Sequence, residues 1–157
     1  MSKFHLAQVN IAKRLAPMED PIMRDFVDNV ERINAIADKS EGFIWRLQDE
    51  DKDEVTRFFN DDGLLINISV WSNFDALFSY TYNSDHVEIF KRKKEWFNKI
   101  NMVHMAFWYV PVGYEPTFQD AKQRLDYLNN HGETPYAFTF KSKFSVLDAL
   151  HYKLQKQ

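Results

Sequence analysis

Leu64-Leu65-Ile66-Asn67-Ile68-Ser69-Val70-Trp71, followed at once by Ser72-Asn73-Phe74-Asp75, decides the fold of this chain. Leu64, Ile66, Ile68 and Val70 share one face of the strand that this alternation predicts. Leu65, Asn67, Ser69 and Trp71 share the other, because successive strand side chains point to opposite sides. Ser72 with Asp75 three residues on has the form of a capping box, so the strand is expected to run straight into a helix. One face is therefore aliphatic and the other polar and aromatic.

Upstream, Phe4 to Ile11 reads as a first strand, with His5, Ala7, Val9 and Ile11 opposed to Leu6, Gln8 and Asn10. Asp20 as N-cap and Pro21 at the first helical position open a helix whose apolar positions are Met23, Phe26, Val27, Val30, Ile33 and Ala37. Gly42 marks its exit, and Phe43 to Gln48 forms a second strand. The acidic, turn-rich residues 49–63 read as a long hairpin connection, with extra pairing around Val55 to Phe59. Downstream of Asp75 the helix breaks near Asn83 and restarts at Ser84-Asp85, with Val87, Phe90 and Phe97 as its stripe. His104 to Pro111 is the next strand. Thr117 and Asp120 cap a further helix bearing Phe118, Ala121, Leu125 and Leu128, with Gly132 beyond its end. Ala137 to Phe140 is a short fifth strand and Ser145 to Leu154 a helical tail.

The core order is strand, helix, strand, strand, helix, strand, which is the ferredoxin-like α+β unit with an antiparallel sheet. Residues 1–141 form that domain and residues 142–157 the C-terminal helical tail. The expectation is a sheet with helices on one face only. A second copy then covers the other face, giving a homodimer that encloses a barrel.

Composition narrows the function. A chain of 157 residues buries roughly 70% of its unfolded surface, enough for one core. Its 14 Phe, 7 Tyr and 4 Trp suit a fold with a core and a second buried surface. A net charge of −3 gives no electrostatic support for a nucleic-acid partner. The absence of cysteine excludes disulfides, thiolate nucleophiles and Cys-ligated metals. With no apolar leader and no membrane-length apolar run, the expected location is the cytoplasm, without membrane association.

Several segments carry a resemblance. They are Leu6-Ala7-Gln8-Val9-Asn10, Phe43-Ile44-Trp45-Arg46-Leu47-Gln48-Asp49-Glu50, Ser69-Val70-Trp71 and Arg92-Lys93-Lys94-Glu95-Trp96-Phe97. Trp108-Tyr109-Val110-Pro111 and Gly132-Glu133-Thr134-Pro135-Tyr136-Ala137-Phe138-Thr139-Phe140 complete the set. Together they resemble a bacterial family of unknown function, from about residue 5 to about residue 141. That family is similar to the antibiotic-biosynthesis monooxygenases of the dimeric α+β barrel group. The resemblance implies the fold and dimerisation. It leaves function open, because that group holds cofactor-free oxygenases, heme enzymes, dehydratases and non-catalytic members.

If the aliphatic faces meet the helices, the opposite faces look into the barrel. The ligand-pocket candidates are then Gln8, Asn10, Asn67, Ser69 and Trp71, with Arg46 and Trp108 from strands whose two faces are both mixed. Oxygenation without metal or organic cofactor needs a positioned substrate, a base and anion stabilisation. Asn10 and Asn67 would hold carbonyl oxygens, Trp71 would stack, and His86 or His104 would take the proton. The bland reading is that these groups satisfy one another inside a packed interface.

Heme-degrading members of the barrel group use a strand-one Asn, a helical Trp and a His about ten residues later. Asn10 matches the first, but Tyr80 and Lys91 stand at the other two positions. Asp49, Asp51 and Asp53 imitate the opening of a calcium loop, yet Glu54 replaces its glycine and Asn60 its closing Glu. No metal site is expected. Lys91-Arg92-Lys93-Lys94 reads as a solvated helix face, from which Arg92 is the anion-binding candidate. Three readings stand open: a cofactor-free enzyme or binder for a flat, quinol-like molecule, a non-catalytic ligand-binding or structural dimer with a packed barrel, and a heme-handling protein.

Overall fold

The computed structural model describes residues 2–48, 52–61, 63–99 and 103–154. β1 spans Phe4–Arg14, longer than its alternation suggested. A 3-10 turn at Pro21–Met23 leads into α1, Arg24–Lys39. Asp20 caps the turn, its side chain accepting from the Ile22 backbone N–H at 3.0 Å. β2 covers only Phe43–Arg46, α2 is Lys52–Phe59 and β3 covers Leu64–Trp71. α3, Phe74–Asn83, and α4, His86–Lys91, follow. A two-residue β4, Phe97–Asn98, precedes β5 at Met105–Pro111. α5 is Phe118–His131 and α6 is Val146–His151, both opened by the capping boxes Thr117/Asp120 and Ser145/Asp148.

The strands form one antiparallel sheet in which β3 lies between β2 and β1, and β5 flanks the far side of β1. That order, with α1 and α3–α4 as the two crossovers, is the ferredoxin-like α+β arrangement. Leu6 faces Trp71, Gln8 faces Ser69 and Asn10 faces Asn67 across β1–β3. On the other side of β1, Leu6 faces Tyr109, Gln8 faces Phe107 and Asn10 faces Met105. These residues share one face. Ala7, Val9, Ile66, Ile68, Val70, Ala106, Trp108 and Val110 share the opposite one.

Both faces are covered by this chain's own helices, contrary to the expected single-sided cover. The crossover helices lie over the polar and aromatic face, where Ala37 of α1 and Phe74 and Leu77 of α3 pack with Leu6, Trp71, Phe107 and Phe138. The aliphatic face is buried under α5, through Phe118, Ala121, Leu125 and Leu128, and under α2. α2 occupies ground expected to be a hairpin connection. Val55, Phe58 and Phe59 recur at helical spacing, and turning them onto the sheet beside α5 buries Val55.

Smaller corrections have local causes. The N-cap of α3 is Asn73 rather than Ser72, its side chain accepting from the Ala76 backbone N–H at 2.8 Å. Phe97 leaves the expected helical stripe because α4 ends at Lys91 and Phe97 pairs with Arg14. The expected fifth strand at Ala137–Phe140 reduces to two isolated bridges, Phe107 with Phe138 and Thr134 with Ala137. Asp49 and Asp51 of the imitated calcium loop lie outside the described residues.

Gly42 joins α1 to β2 at a φ of +83°, and a Cβ there would stand 2.5 Å from Ala76 Cβ and 2.6 Å from Ser72 Oγ. Its carbonyl accepts from the Ser72 backbone N–H at 2.7 Å. The two ends of the helical layer therefore meet at this glycine.

Candidate functional site

The polar residues of the helix-covered face form one hydrogen-bonded array. Gln8 Nε2 donates to Asn67 Oδ1 at 2.6 Å and to Ser69 Oγ at 2.7 Å. Asn10 Nδ2 donates to Gln8 Oε1 at 3.1 Å. The Trp71 indole Nε1 donates to Ser69 Oγ at 2.9 Å. Strand alternation explains the grouping, since Asn67, Ser69 and Trp71 are spaced by two on β3 while Gln8 and Asn10 are their register partners on β1. Gln8 and Ser69 are buried, at 4% and 6% exposure, Asn10 is half-buried and Asn67 exposed. The array thus runs from the core to the surface. Among the described residues, no hydrogen bond engages Asn67 Nδ2 or Asn10 Oδ1.

An aromatic series begins where the array ends. Trp71 packs edge-on against Phe43, with centroids 5.4 Å apart, and stacks on Tyr80 at 4.9 Å with ring planes 27° apart. Tyr80 in turn lies 4.9 Å from His86, and His86 lies 6.1 Å from Phe90. Burial, with the Asp38 carboxylate nearby, pushes the Tyr80 phenol up to about 12. Burial pulls the His86 imidazole below 6.5, partly opposed by its contact with the Thr81 carbonyl at 3.4 Å. A neutral imidazole at neutral pH can accept a proton.

The other residues singled out from the sequence do not join this array. Trp108 lies on the opposite face, paired with Ala7 and buried in the aliphatic core. Strand parity, ambiguous where both faces are aromatic, places it there. His104 is exposed just before β5, its carbonyl accepting from the Ile11 N–H at 2.9 Å. Arg46 pairs with Ser69 in register, and its guanidinium is held by Asp38 of α1 at 2.8 Å. Arg92 does not turn inward. It binds Asp25 and Glu95, each at 2.8 Å, and lies over the Trp96 ring at 4.7 Å. Tyr80, expected only as a departure from the heme pattern, joins the site by stacking on Trp71. The described cavities, of about 420 and 180 Å³, lie elsewhere, the first between α2 and α5 and the second beneath α6.

A heme fits these residues poorly. Lys91 is exposed at the end of α4, and the nearest imidazole, His86, sits between Tyr80 and Phe90 with Nδ1 directed at the Thr81 carbonyl.

A family model described as a domain of unknown function, DUF3291, matches residues 5–153. The chain belongs to this family. The DUF3291 match includes α6 and runs beyond residue 141. No curated protein matches the chain. Among solved structures, SnoaB, a cofactor-independent oxygenase from Streptomyces nogalater, is similar at 13% identity, covering 73% of this chain and 96% of its own, with a TM-score of 0.45. A conserved protein from Methanosarcina mazei is 16% identical over 69% of this chain and 93% of its own, with a TM-score of 0.49. PA3566 from Pseudomonas aeruginosa is 16% identical over 71% and 95%, with a TM-score of 0.47. Among the described residues of the DUF3291 chain, no helix is long and apolar enough to cross a membrane.

Proposed function

We propose that this DUF3291 protein is a cytoplasmic homodimer that binds a flat, oxygenated aromatic molecule over the Asn10–Gln8–Asn67 end of the array. It would act on that molecule without metal or organic cofactor. The observation that carries the reading is the array itself. Gln8 fixes two asparagines side by side, so that Asn67 offers a donor and Asn10 an acceptor at the open end. A donor held in advance at the position of a developing enolate oxygen stabilises that anion without reorganisation. His86 is the base of this proposal. Its burial keeps it neutral.

The chemistry that suits these groups is oxygenation of a carbon acid. Proton loss from a methylene carbon to the base gives a resonance-stabilised carbanion, which passes an electron to dioxygen. The radical pair joins in a carbon–oxygen bond as a peroxide. Loss of the second proton from that carbon breaks the oxygen–oxygen bond. The methylene and one dioxygen thereby become a ketone carbonyl and one water, with one oxygen atom in each. The protein's task is to bind, orient and deprotonate.

On this reading the ligand sits at the exposed end of the face that the crossover helices of one protomer cover. The homodimer is supported by exposed Val27, Ile44 and Phe90 along α1, edge strand β2 and α4. Light scattering after gel filtration would give twice the chain mass for that assembly. The test of the activity is oxygen uptake with 9-anthrone, a flat carbon acid. Wild-type protein should accelerate uptake, Asn67→Ala and His86→Gln should not, and equal rates in all three would refute the reading.

A second reading rests on Trp71, which is 1% exposed between Phe43 and Tyr80. A ring enclosed on both sides cannot serve as a substrate shelf, which favours a non-catalytic dimer. Absence of any anthrone binding would select it.

A further inference from the structure

Ser84 stands at the break between α3 and α4, with an extended backbone of φ −113° and ψ 177°. Its side chain spans that break. Ser84 Oγ donates to the Tyr80 carbonyl in the last turn of α3. It also accepts from the His86 backbone N–H at the start of α4, at 3.2 Å. One hydroxyl can do both, because it carries a donor and two lone pairs. The Ser84 carbonyl adds a further tie by accepting from the Val87 N–H at 3.1 Å. Ser84 thereby sets how the first residue of α4 sits against Tyr80.

The His86 ring is held from three sides. Its centre lies 4.9 Å from that of Tyr80 and 6.1 Å from that of Phe90, one turn on along α4. Its Nδ1 stands 3.4 Å from the Thr81 carbonyl. A carbonyl oxygen only accepts, so this contact is a hydrogen bond only when Nδ1 carries the proton. The hydrogen bond made by one ring nitrogen decides the state of the other. In the neutral ring the lone pair is then on Nε2.

Nε2 itself has no hydrogen-bond partner among the described residues. The buried side-chain atoms left without a partner there are His5 Nδ1, Arg124 Nε, His131 Nε2 and Thr134 Oγ1. His86 Nε2 is not one of them, so on its half-buried ring it keeps accessible surface. The other histidines differ. His5 and His131 each have a nitrogen buried without a partner, and His104 and His151 are exposed. His86 alone joins an anchored nitrogen to an open one.

We infer that Ser84 and the Thr81 carbonyl fix His86 as the Nδ1–H tautomer and leave Nε2 as its proton-accepting nitrogen. Ser84 is then a positioning residue, acting through His86. The inference deepens the reading of His86 as the base and rests on it for its use in a reaction. There, Nε2–H forms as the substrate carbon–hydrogen bond breaks, and the electron pair stays on carbon. The imidazolium keeps its Nδ1–H on the Thr81 carbonyl throughout, so no tautomer change is needed before the proton moves.

Two-bond ¹H–¹⁵N correlation spectra of the full labelled chain read the tautomer directly, without ligand, at about pH 8, where the imidazole is neutral. His86 is assigned by its loss in His86→Gln. Wild-type protein should show a protonated Nδ1 and an unprotonated Nε2. Ser84→Ala should move both nitrogens toward the averaged pattern of exposed His104, and Ser84→Thr, which keeps the hydroxyl, should restore them. If Ser84→Ala does not fold, Ser84→Cys, a weaker donor, takes its place. In oxygen uptake with 9-anthrone, Ser84→Ala should lose about tenfold or more in kcat, with KM changed by less than about twofold. A protonated Nε2 or an averaged pattern in wild-type protein would overturn the inference. So would an unchanged His86 pattern in the folded Ser84 variant. The expected tautomer with no uptake by wild-type protein would support the tautomer assignment and refute the oxygenation reading alone.

Discussion

Gln8 Nε2 stands 2.6 Å from Asn67 Oδ1, although 59 residues separate them in the chain. The contact is diagonal across the β1–β3 ladder, because Gln8 is in register with Ser69 and Asn10 with Asn67. One buried amide therefore ties together the strand whose polar face suggested a ligand and the strand that supplies its second asparagine. The asymmetry between the two residues, one buried and one exposed, separates a structural role from a binding role.

Gln8→Ala should lower stability by about 1–3 kcal/mol, because it removes the buried amide that Ser69, Asn67 and Asn10 share. Asn67→Ala should change stability by less than about 0.5 kcal/mol, since that side chain is exposed. Urea denaturation of both variants measures the contrast. Both should lose binding of an aromatic carbon acid, whereas equal losses of stability would mean that Asn67 is a core residue.

Gly42→Ala should destabilise the protein by more than about 1 kcal/mol, through the φ of +83° and the close approach of Ala76 and Ser72. Thermal unfolding gives the answer. A neutral or stabilising result would show that the α1–β2 turn does not press against the start of α3.

His86 carries a pH signature. Its folded-state affinity for the proton lies below that of the unfolded chain, so the unfolded state binds the proton first as pH falls through 6.5. Stability is then undiminished above that value and declines as pH drops toward the folded-state pKa. Denaturation midpoints at about pH 7.5 and about pH 5 should differ more in wild-type protein than in His86→Gln. An unchanged difference would place the imidazole in solvent.

Tyr80 behaves in the opposite sense. Its phenol is raised from 10.0 to about 12, so the folded state resists ionisation, and stability is lost as pH rises from 10.0 through about 12. Spectrophotometric titration of tyrosinate should show a late-ionising phenol that is absent from Tyr80→Phe. Identical titration curves would contradict the stacked, buried ring.

The β3 segment and its neighbours made the sheet legible, because strict alternation over Leu64–Trp71 and over β1 leaves one register that keeps Gln8, Asn10, Asn67, Ser69 and Trp71 together. The cover of each face was not legible from that alternation. An aliphatic face and a polar, aromatic face each suit helices, and only the tertiary packing of Val55 and Phe58 beside Leu125 shows which helices go where. Trp108 lies away from the expected pocket for the same reason, since β5 has large side chains on both faces and parity cannot be read from size. The acidic residues before Val55 have turn chemistry, which masks the short helical spacing of Val55, Phe58 and Phe59 in the sequence.

The central claim is that the Asn67 side chain receives a ligand oxygen at the open end of the array. Its most direct test is a titration of ¹⁵N-labelled protein with 9-anthrone under argon, following the side-chain amide resonances. The account predicts a saturable shift of the Asn67 amide protons, with a smaller one at Gln8, and no such response of other side-chain amides. Saturation without movement of the Asn67 and Gln8 amides, or no saturation at all, would contradict it.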